Sequence, residues 1–130
     1  MSAPTPQTLY QKLVASHTVT TLDAQNVLLF CDLHLMNEYT SPQAFAGLHA
    51  SGRGVPMPGQ NVAVVSHVIP TDNRFPRVIV EAAPALQASQ LHVNCVHHHI
   101  LLFDTNDPLQ DIEHVIASET GMIRPGMLVL

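Results

Sequence analysis

The chain has 130 residues, of which 46% are apolar, a size and composition typical of one domain that buries roughly two thirds of its unfolded surface. Its formal net charge is −5, with five Lys and Arg and no basic run, which argues against nucleic acid and anionic membranes as partners. The two cysteines lack a Cys-x-x-Cys spacing, which excludes a disulfide framework, and the absence of any apolar run of signal-peptide or membrane-span length predicts a cytoplasmic protein.

The first predicted elements are a strand and a helix in the first half of the chain. Residues 27–31 form a short, continuous apolar run bounded by polar residues, which predicts a strand buried on both faces. Residues 42–50 are predicted to form a helix, because Thr40 or Ser41 can serve as its N-cap and a proline occupies its first position. The Gly- and Pro-rich segment 51–60 predicts a loop after this helix.

The second half of the chain continues the alternation of strands and helices. Residues 62–65 predict a strand that leads to the polar pair 66–67, and residues 82–97 predict a helix. Residues 100–103 predict a further strand that ends at Asp104. This alternation indicates an α/β fold, a layered sheet with flanking helices, in which ligands bind at the carboxyl edge of the sheet.

Several segments, in register from residue 8 to residue 130, resemble the beginning of the 3-isopropylmalate dehydratase large subunit, a family of the aconitase superfamily. These segments are residues 8–17, 32–34, 40–48, 56–59, 111–115 and 124–127, together with His67. The resemblance implies that residues 1–130 are a single, partial, amino-terminal aconitase-like domain. We therefore expect an incomplete portion of that domain rather than the whole of it.

The resemblance also implies an activity. Members of this family interconvert 2-isopropylmalate and 3-isopropylmalate, which are small dicarboxylic hydroxy acids, by dehydration and rehydration in leucine synthesis. They use a [4Fe-4S] cluster as a Lewis acid, and a small subunit completes the site. Neither Cys31 nor Cys95 stands at a cluster-ligand position, so we expect this chain alone to be inactive. Its expected partners are the small subunit and a carboxyl-terminal remainder of the large subunit.

Three candidate site residues follow from the resemblance. His67 matches a catalytic histidine that assists departure of the substrate hydroxyl, and His114 matches a second active-site histidine. Gln43 matches a glutamine that binds a substrate carboxylate or hydroxyl. Taken without the resemblance, His67 is typical of a solvated loop and Gln43 of an exposed helix face. Ser66 stands where the family usually has aspartate, and a serine supplies no charge to stabilise an imidazolium.

A histidine-rich stretch offers a different interpretation, namely metal binding. On a helix, His92, Cys95 and His99 share one face at three- and four-residue spacing, which could hold zinc or nickel. A polar helix end is the simpler interpretation, because histidines near a helix carboxyl terminus are favoured by its dipole. We therefore expect no metal site in this stretch, and expect Cys31 to pack inside its strand as a small hydrophobe.

Two alternatives to the hydro-lyase interpretation remain open. The chain can be a non-catalytic truncated remnant or docking module, an interpretation favoured by Ser66. It can also be a fragment of a related dehydratase that acts on dimethylmalate, methylmalate or homoaconitate. Residues 127–130 are predicted to form a strand at an apolar sheet edge, and such an edge tends to aggregate. We therefore expect the isolated chain to be poorly soluble or oligomeric.

Overall fold

Short helices and strands alternate along the chain in this structure, a computed structural model that describes residues 5–72 and 74–130. Within these residues, the helices are α1 Leu9–His17, α2 Pro42–Ala50, α3 Ala82–His98 and α4 Glu113–Glu119. The strands are β1 Thr18–Thr21, β2 Val27–Leu29, β3 His34–Asn37, β4 Asn61–Val64 and β5 Leu101–Phe103, and a single 3-10 turn spans Pro58–Gln60. None of the described helices is both long and apolar enough to cross a membrane.

The central sheet is parallel and has the order β3-β4-β5. Its strands are joined through α2 and α3, as parallel pairing requires a crossover connection. Beyond β3, the chain near residue 129 forms a parallel bridge to Leu33, and Leu130 N donates to Leu33 O at 3.0 Å. The expected α/β fold with a sheet and flanking helices is confirmed.

Strand β4 is the middle strand of the sheet. Side chains in and just after it alternate between two hydrophobic cores, one on each face of the sheet. Ala63 and Val65 pack into a core that includes Phe45 of α2 and Leu91 of α3. The intervening Val62 and Val64 pack into a second core with Ile116 of α4, in keeping with the two-residue period of a strand. Val64 is fully buried, and such burial of a valine stabilises the fold by about 1.5–3 kcal/mol.

The predicted helices agree with the structure. Helix α2 has the expected bounds, and Gly52 beyond its end has φ 63°, a conformation that glycine adopts without strain. Ser41 is its N-cap but makes no side-chain capping bond. The amide oxygen of Asn37 instead accepts from the backbone N–H groups of Tyr39 and Thr40 at 2.9 and 3.0 Å.

The prediction of a doubly buried strand at residues 27–31 is wrong. The strand covers only Val27–Leu29, pairs antiparallel with β1, and leaves Leu28 49% exposed. This hairpin forms a two-stranded sheet of its own, separate from the three-stranded sheet β3-β4-β5. Cys31 follows the strand rather than lying in it, is half-buried, and its thiol donates to Leu33 O at 3.1 Å.

The strand predicted at residues 127–130 is also corrected. This segment forms one isolated bridge and no continuous strand. It nevertheless lies along the outer edge of β3, where Leu35 N donates to Leu130 O at 2.7 Å. The backbone groups on that edge of β3 are therefore partly satisfied within the chain.

Candidate active site

Polar side chains meet at the carboxyl ends of β3 and β4. Asn37 ends β3 and is followed by Glu38, while Ser66 and His67 come shortly after β4. Glu113, the first residue of α4, approaches the same place. Adjacent parallel strands end at one edge of a sheet, which is where α/β folds bind ligands.

Glu38 holds the loop that carries His67. Its side chain is fully buried, and its carboxylate accepts backbone N–H bonds from Ser66 at 3.1 Å, His67 at 2.6 Å and Val68 at 2.7 Å. A buried carboxylate is costly unless such donors compensate its lost hydration. The three bonds therefore fix the path of the backbone at His67.

Glu113 supplies a negative charge beside this loop. Its carboxylate accepts from Ser66 Oγ at 2.5 Å and from Asn37 Nδ2 at 3.1 Å, and its side chain is 12% exposed. Burial acts to raise the pKa of Glu113, but the hydrogen bonds from Ser66, its own backbone amide and Asn37, with the charge of His67, lower the pKa below its usual range. Glu113 is therefore ionised at neutral pH.

The imidazole of His67 contacts Ser66 and faces Glu113. His67 Nδ1 lies 3.0 Å from Ser66 Oγ and 3.9 Å from Glu113 Oε1, and the ring stacks on Tyr39 with centroids 6.2 Å apart. Because Ser66 donates its one proton to Glu113, its oxygen must accept from Nδ1–H of His67. Nε2 is then the nitrogen of the half-exposed ring that can exchange a proton.

The other two predicted site residues differ in their surroundings. His114 follows Glu113 in α4, is 79% exposed, and places Nδ1 3.7 Å from Glu113 Oε1. Gln43 is exposed at the second position of α2 and has no side-chain hydrogen bond among the described residues. The structure thus brings His67 and His114 around one carboxylate oxygen and leaves Gln43 free to solvent.

His67 also lines a surface pocket of about 420 Å³ that contains a basic side chain. Arg74 is 86% exposed there, and its Nε donates to Asp72 Oδ2 at 2.8 Å. Hydrogen bonds from Arg74 lower the pKa of the Asp72 carboxyl. The pocket therefore combines the half-exposed imidazole of His67 with a guanidinium that is paired with the Asp72 carboxylate.

The sequence analysis missed Asn37, Glu38 and Glu113 as site residues. Asn37 and Glu38 stand at the carboxyl end of β3, which we had not predicted as a strand; a strand at residues 34–37 would have pointed to them. Glu113 lies within the segment 111–115 that carried the resemblance, but its approach to Ser66 spans 47 positions, and no local pattern reports such a contact.

The histidine-rich end of α3 does not bring together His92, Cys95 and His99, the alternative metal set that its helical spacing suggested. His92 Nδ1 lies 2.7 Å from Asp104 Oδ2. Cys95 is 1% exposed, and burial raises the pKa of its thiol to about 12, so it stays protonated. His99 lies beyond the helix with φ 58° and is exposed. His92, Cys95 and His99 therefore have separate surroundings.

Comparison with known proteins gives consistent matches. The model of the Aconitase family (aconitate hydratase) matches residues 11–130. The chain is 44% identical over 124 residues to "3-isopropylmalate dehydratase large subunit 2" of Salmonella choleraesuis (strain SC-B67) and, equally, to the protein of the same name in Salmonella typhimurium (strain LT2). Each alignment covers 95% of this chain and 26% of the relative, so the chain spans about a quarter of their length. No solved structure matches.

Proposed function

Because this chain belongs to the aconitase family, we propose that it supplies the amino-terminal part of a hydro-lyase large subunit of the 3-isopropylmalate dehydratase type. The proposed reaction interconverts 2-isopropylmalate and 3-isopropylmalate by dehydration and rehydration, in leucine synthesis and in the cytoplasm. The 44% identity to two proteins of that name supports it. The structural observation that carries the proposal is the Ser66 hydroxyl, which links His67 to the Glu113 carboxylate.

His67 is the proposed acid of this reaction. Loss of water from a hydroxy acid requires a proton for the departing hydroxyl, and an imidazolium can donate one near neutral pH. His67 Nε2 would make that donation, while Nδ1 stays bonded to Ser66. Glu113 places a negative charge 3.9 Å from Nδ1, on the side of the ring opposite the proposed proton transfer.

We assign supporting roles to the other two candidates. His114, beside the same carboxylate and exposed to solvent, is the proposed second active-site histidine. Gln43 lies in the first turn of α2, where its amide can bind a substrate carboxylate or hydroxyl next to free backbone N–H groups.

The residues of this chain do not fit the [4Fe-4S] cluster that the family implies. Such a cluster is held by cysteine thiolates, and the sequence has two cysteines. Cys95 is a buried thiol whose raised pKa keeps it protonated, and the thiol of Cys31 donates to a backbone carbonyl. The cluster ligands would therefore come from outside these 130 residues, on the carboxyl-terminal remainder, and a small subunit is the second proposed partner.

The test is the dehydratase activity of an assembly that contains this chain. The chain is produced anaerobically with the remainder and the small subunit of a 3-isopropylmalate dehydratase, and the interconversion of the two isopropylmalates is followed. We expect activity, and a fall in kcat of about 10²–10⁴-fold for His67→Gln. His34→Gln, at an exposed position in β3, is the matched control and should leave kcat unchanged. An inactive assembly, or a His67→Gln variant as active as the control, contradicts the proposal.

Assays of the same assembly distinguish two alternative functions. Turnover of dimethylmalate, methylmalate or homoaconitate in place of isopropylmalate would assign the chain to a related dehydratase. Assembly with the partners but no turnover of any of these acids would identify a non-catalytic docking module. Serine at position 66, in place of the family's aspartate, favours the docking module only if the Glu113 carboxylate does not replace the charge of that aspartate.

A further inference from the structure

Three histidines from two helices converge on the side of the molecule away from His67's loop. His49 lies in the last turn of α2, and His97 and His98 lie in the last turn of α3. One ring nitrogen from each residue lies within 4.8 Å of the others. From this cluster, which we call the three-histidine cluster, we propose a binding site for a divalent transition-metal cation of the Zn²⁺ type.

The imidazole rings of the cluster are arranged nearly as they would be around a coordinated cation. The centroids of His97 and His98 are 4.7 Å apart and those of His49 and His98 5.5 Å apart. Zinc–nitrogen bonds of about 2.0–2.1 Å in a tetrahedron place ligand nitrogens about 3.3 Å apart. The nitrogens therefore need to approach by at most about 1.5 Å. His49 and His97 are exposed, so rotation of their side chains can supply this movement.

A second observation, independent of the clustering, points to a ligand. His98 is 6% exposed, and its Nε2 is buried without a hydrogen-bond partner among the described residues. A buried polar atom of this kind costs about 1–3 kcal/mol. Coordination of a cation through Nε2 would give this atom the partner that it lacks.

The surroundings also favour a cation. The cluster lies at the carboxyl ends of two helices, α2 and α3, where the helix dipoles place partial negative charge. His98 is held in place on one side by stacking against Phe45, with centroids 5.4 Å apart. Three neutral imidazoles suit Zn²⁺, Cu²⁺ or Ni²⁺ and leave a fourth position for water or a ligand from another molecule.

The set differs from the one that the helical spacing of α3 suggested, and two of its members lie in the stretch where the sequence led us to expect no metal site. His92, Cys95 and His99 belong to α3 and its end alone, whereas the three-histidine cluster depends on the packing of α2 against α3. The contact between His49 and His98 spans 49 positions of sequence, which is why periodicity within one helix did not report it.

Calorimetric titration with Zn²⁺, in the presence of a competing chelator, tests the proposal. We expect one Zn²⁺ per chain, and a loss of affinity of about tenfold or more for His49→Gln and for His97→Gln. His99→Asn is the matched control, because asparagine tolerates the positive φ of this position, and it should keep the affinity within about twofold.

A second variant separates loss of binding from loss of folding. In His98→Phe the ring still stacks on Phe45 while both nitrogens are removed, so this variant should melt at or above the temperature of the original protein and bind no Zn²⁺ at this site. Substoichiometric uptake, unchanged affinity in His49→Gln and His97→Gln, or an equal loss in His99→Asn would overturn the proposal. Full uptake by His98→Phe would overturn it as well.

Discussion

At the scale of single residues, the candidate site rests on a carboxylate whose position the sequence did not reveal. Ser66 occupies the place at which the resembling family usually has aspartate, yet the charge beside His67 is present, because Glu113 reaches it from α4. The serine hydroxyl then accepts from the imidazole and donates to the carboxylate. In this chain, Ser66 and Glu113 together place a hydrogen-bond acceptor and a negative charge beside His67, which a single aspartate at position 66 would also provide.

A pair of variants tests this two-residue arrangement. In the assembled enzyme, Glu113→Gln should lower kcat about tenfold or more, since it removes the negative charge 3.9 Å from His67 Nδ1. Adding Ser66→Asp to Glu113→Gln should restore part of the activity, because a carboxylate is again beside the ring. Ser66→Asp alone should not help, since it places two carboxylates together. Activity of Glu113→Gln equal to that of Glu119→Gln, at an exposed position of the same helix, would refute the role of Glu113.

Glu38 provides a separate prediction on stability. Glu38→Ala leaves three backbone N–H groups without their acceptor, so we expect it to lower the free energy of unfolding by about 3–5 kcal/mol. Urea unfolding measures this loss, and Glu119→Ala is the exposed control, which should change the free energy by less than about 0.5 kcal/mol. A small effect at Glu38 would mean that water replaces the carboxylate without cost.

At the scale of helices and strands, local sequence patterns predicted the two helices whose ends are determined by neighbouring residues. Helix α2 was predicted from its N-cap and the proline at its first position, and α3 was predicted at residues 82–97; both have nearly the expected bounds. Strand β3 was missed, because its only apolar residues are the adjacent Leu35 and Met36, and two residues are too short a run to indicate a strand. The burial of residues 27–31 was overestimated, since an apolar run does not report which layer, if any, will cover it.

The same limit applied to the site. His67 was a candidate because it comes shortly after the predicted strand at residues 62–65 and matches a histidine of the family that the chain resembles. The contacts of Ser66 with Glu38 and Glu113 span 28 and 47 positions. The first depends on the pairing of β3 with β4, and the second on how α4 packs against the sheet. Such contacts are a property of the tertiary structure, so sequence periodicity could not supply them.

One ion pair ties α1 to the sheet and should make stability depend on pH. His17 is buried; its Nδ1 lies 2.7 Å from Leu13 O and its Nε2 2.6 Å from Asp32 Oδ2. Because both partners are acceptors, both ring nitrogens carry protons. The bonds from Leu13 and Asp32 raise the pKa of His17, while the amide of Leu128 and then His17 lower the pKa of Asp32.

The sign of each shift defines the pH window. The contribution of His17 is complete below its unfolded pKa, about 6.5, and is lost as pH rises through its raised folded pKa. The contribution of Asp32 is complete above its unfolded pKa, about 3.9, and is lost as pH falls through its lowered folded pKa. The stability difference between the original protein and Asp32→Asn should therefore be largest between about pH 4 and pH 6.5. Urea unfolding across pH measures it; a constant difference, or one that grows above neutrality, would rule out the charged pair.

At the scale of the whole molecule, the sheet is covered on both faces but the β1-β2 hairpin is not. Val19 is 60%, Leu28 49% and Phe30 41% exposed, and they line an apolar pocket of about 520 Å³. Contiguous exposed apolar surface of this kind commonly marks an interaction site. We therefore expect this hairpin to be a surface at which the chain associates, in addition to the edge of β3, which residues 128–130 only partly cover.

We predict that the isolated chain self-associates through this hairpin. Light scattering at micromolar concentration should give an average mass above 14.1 kDa, and Leu28→Lys should lower it toward that value, because a charge on the contact surface opposes burial. Val96→Lys, on an exposed part of α3, is the control and should not change the mass. A monodisperse monomer of the original protein would contradict this prediction.

The hydrogen bond from Leu128 N to Asp32 Oδ2 joins positions 96 residues apart, and it bears on how the chain folds during its synthesis. Strands β3 and β4 can pair once residue 64 has left the ribosome, whereas the outer edge of β3 is covered only after residue 128 has emerged. At about 5–20 residues per second, synthesis of the intervening stretch of 64 residues takes about 3–13 s. The nascent chain therefore presents an open strand edge for seconds, an interval in which ribosome-associated chaperones can act on it.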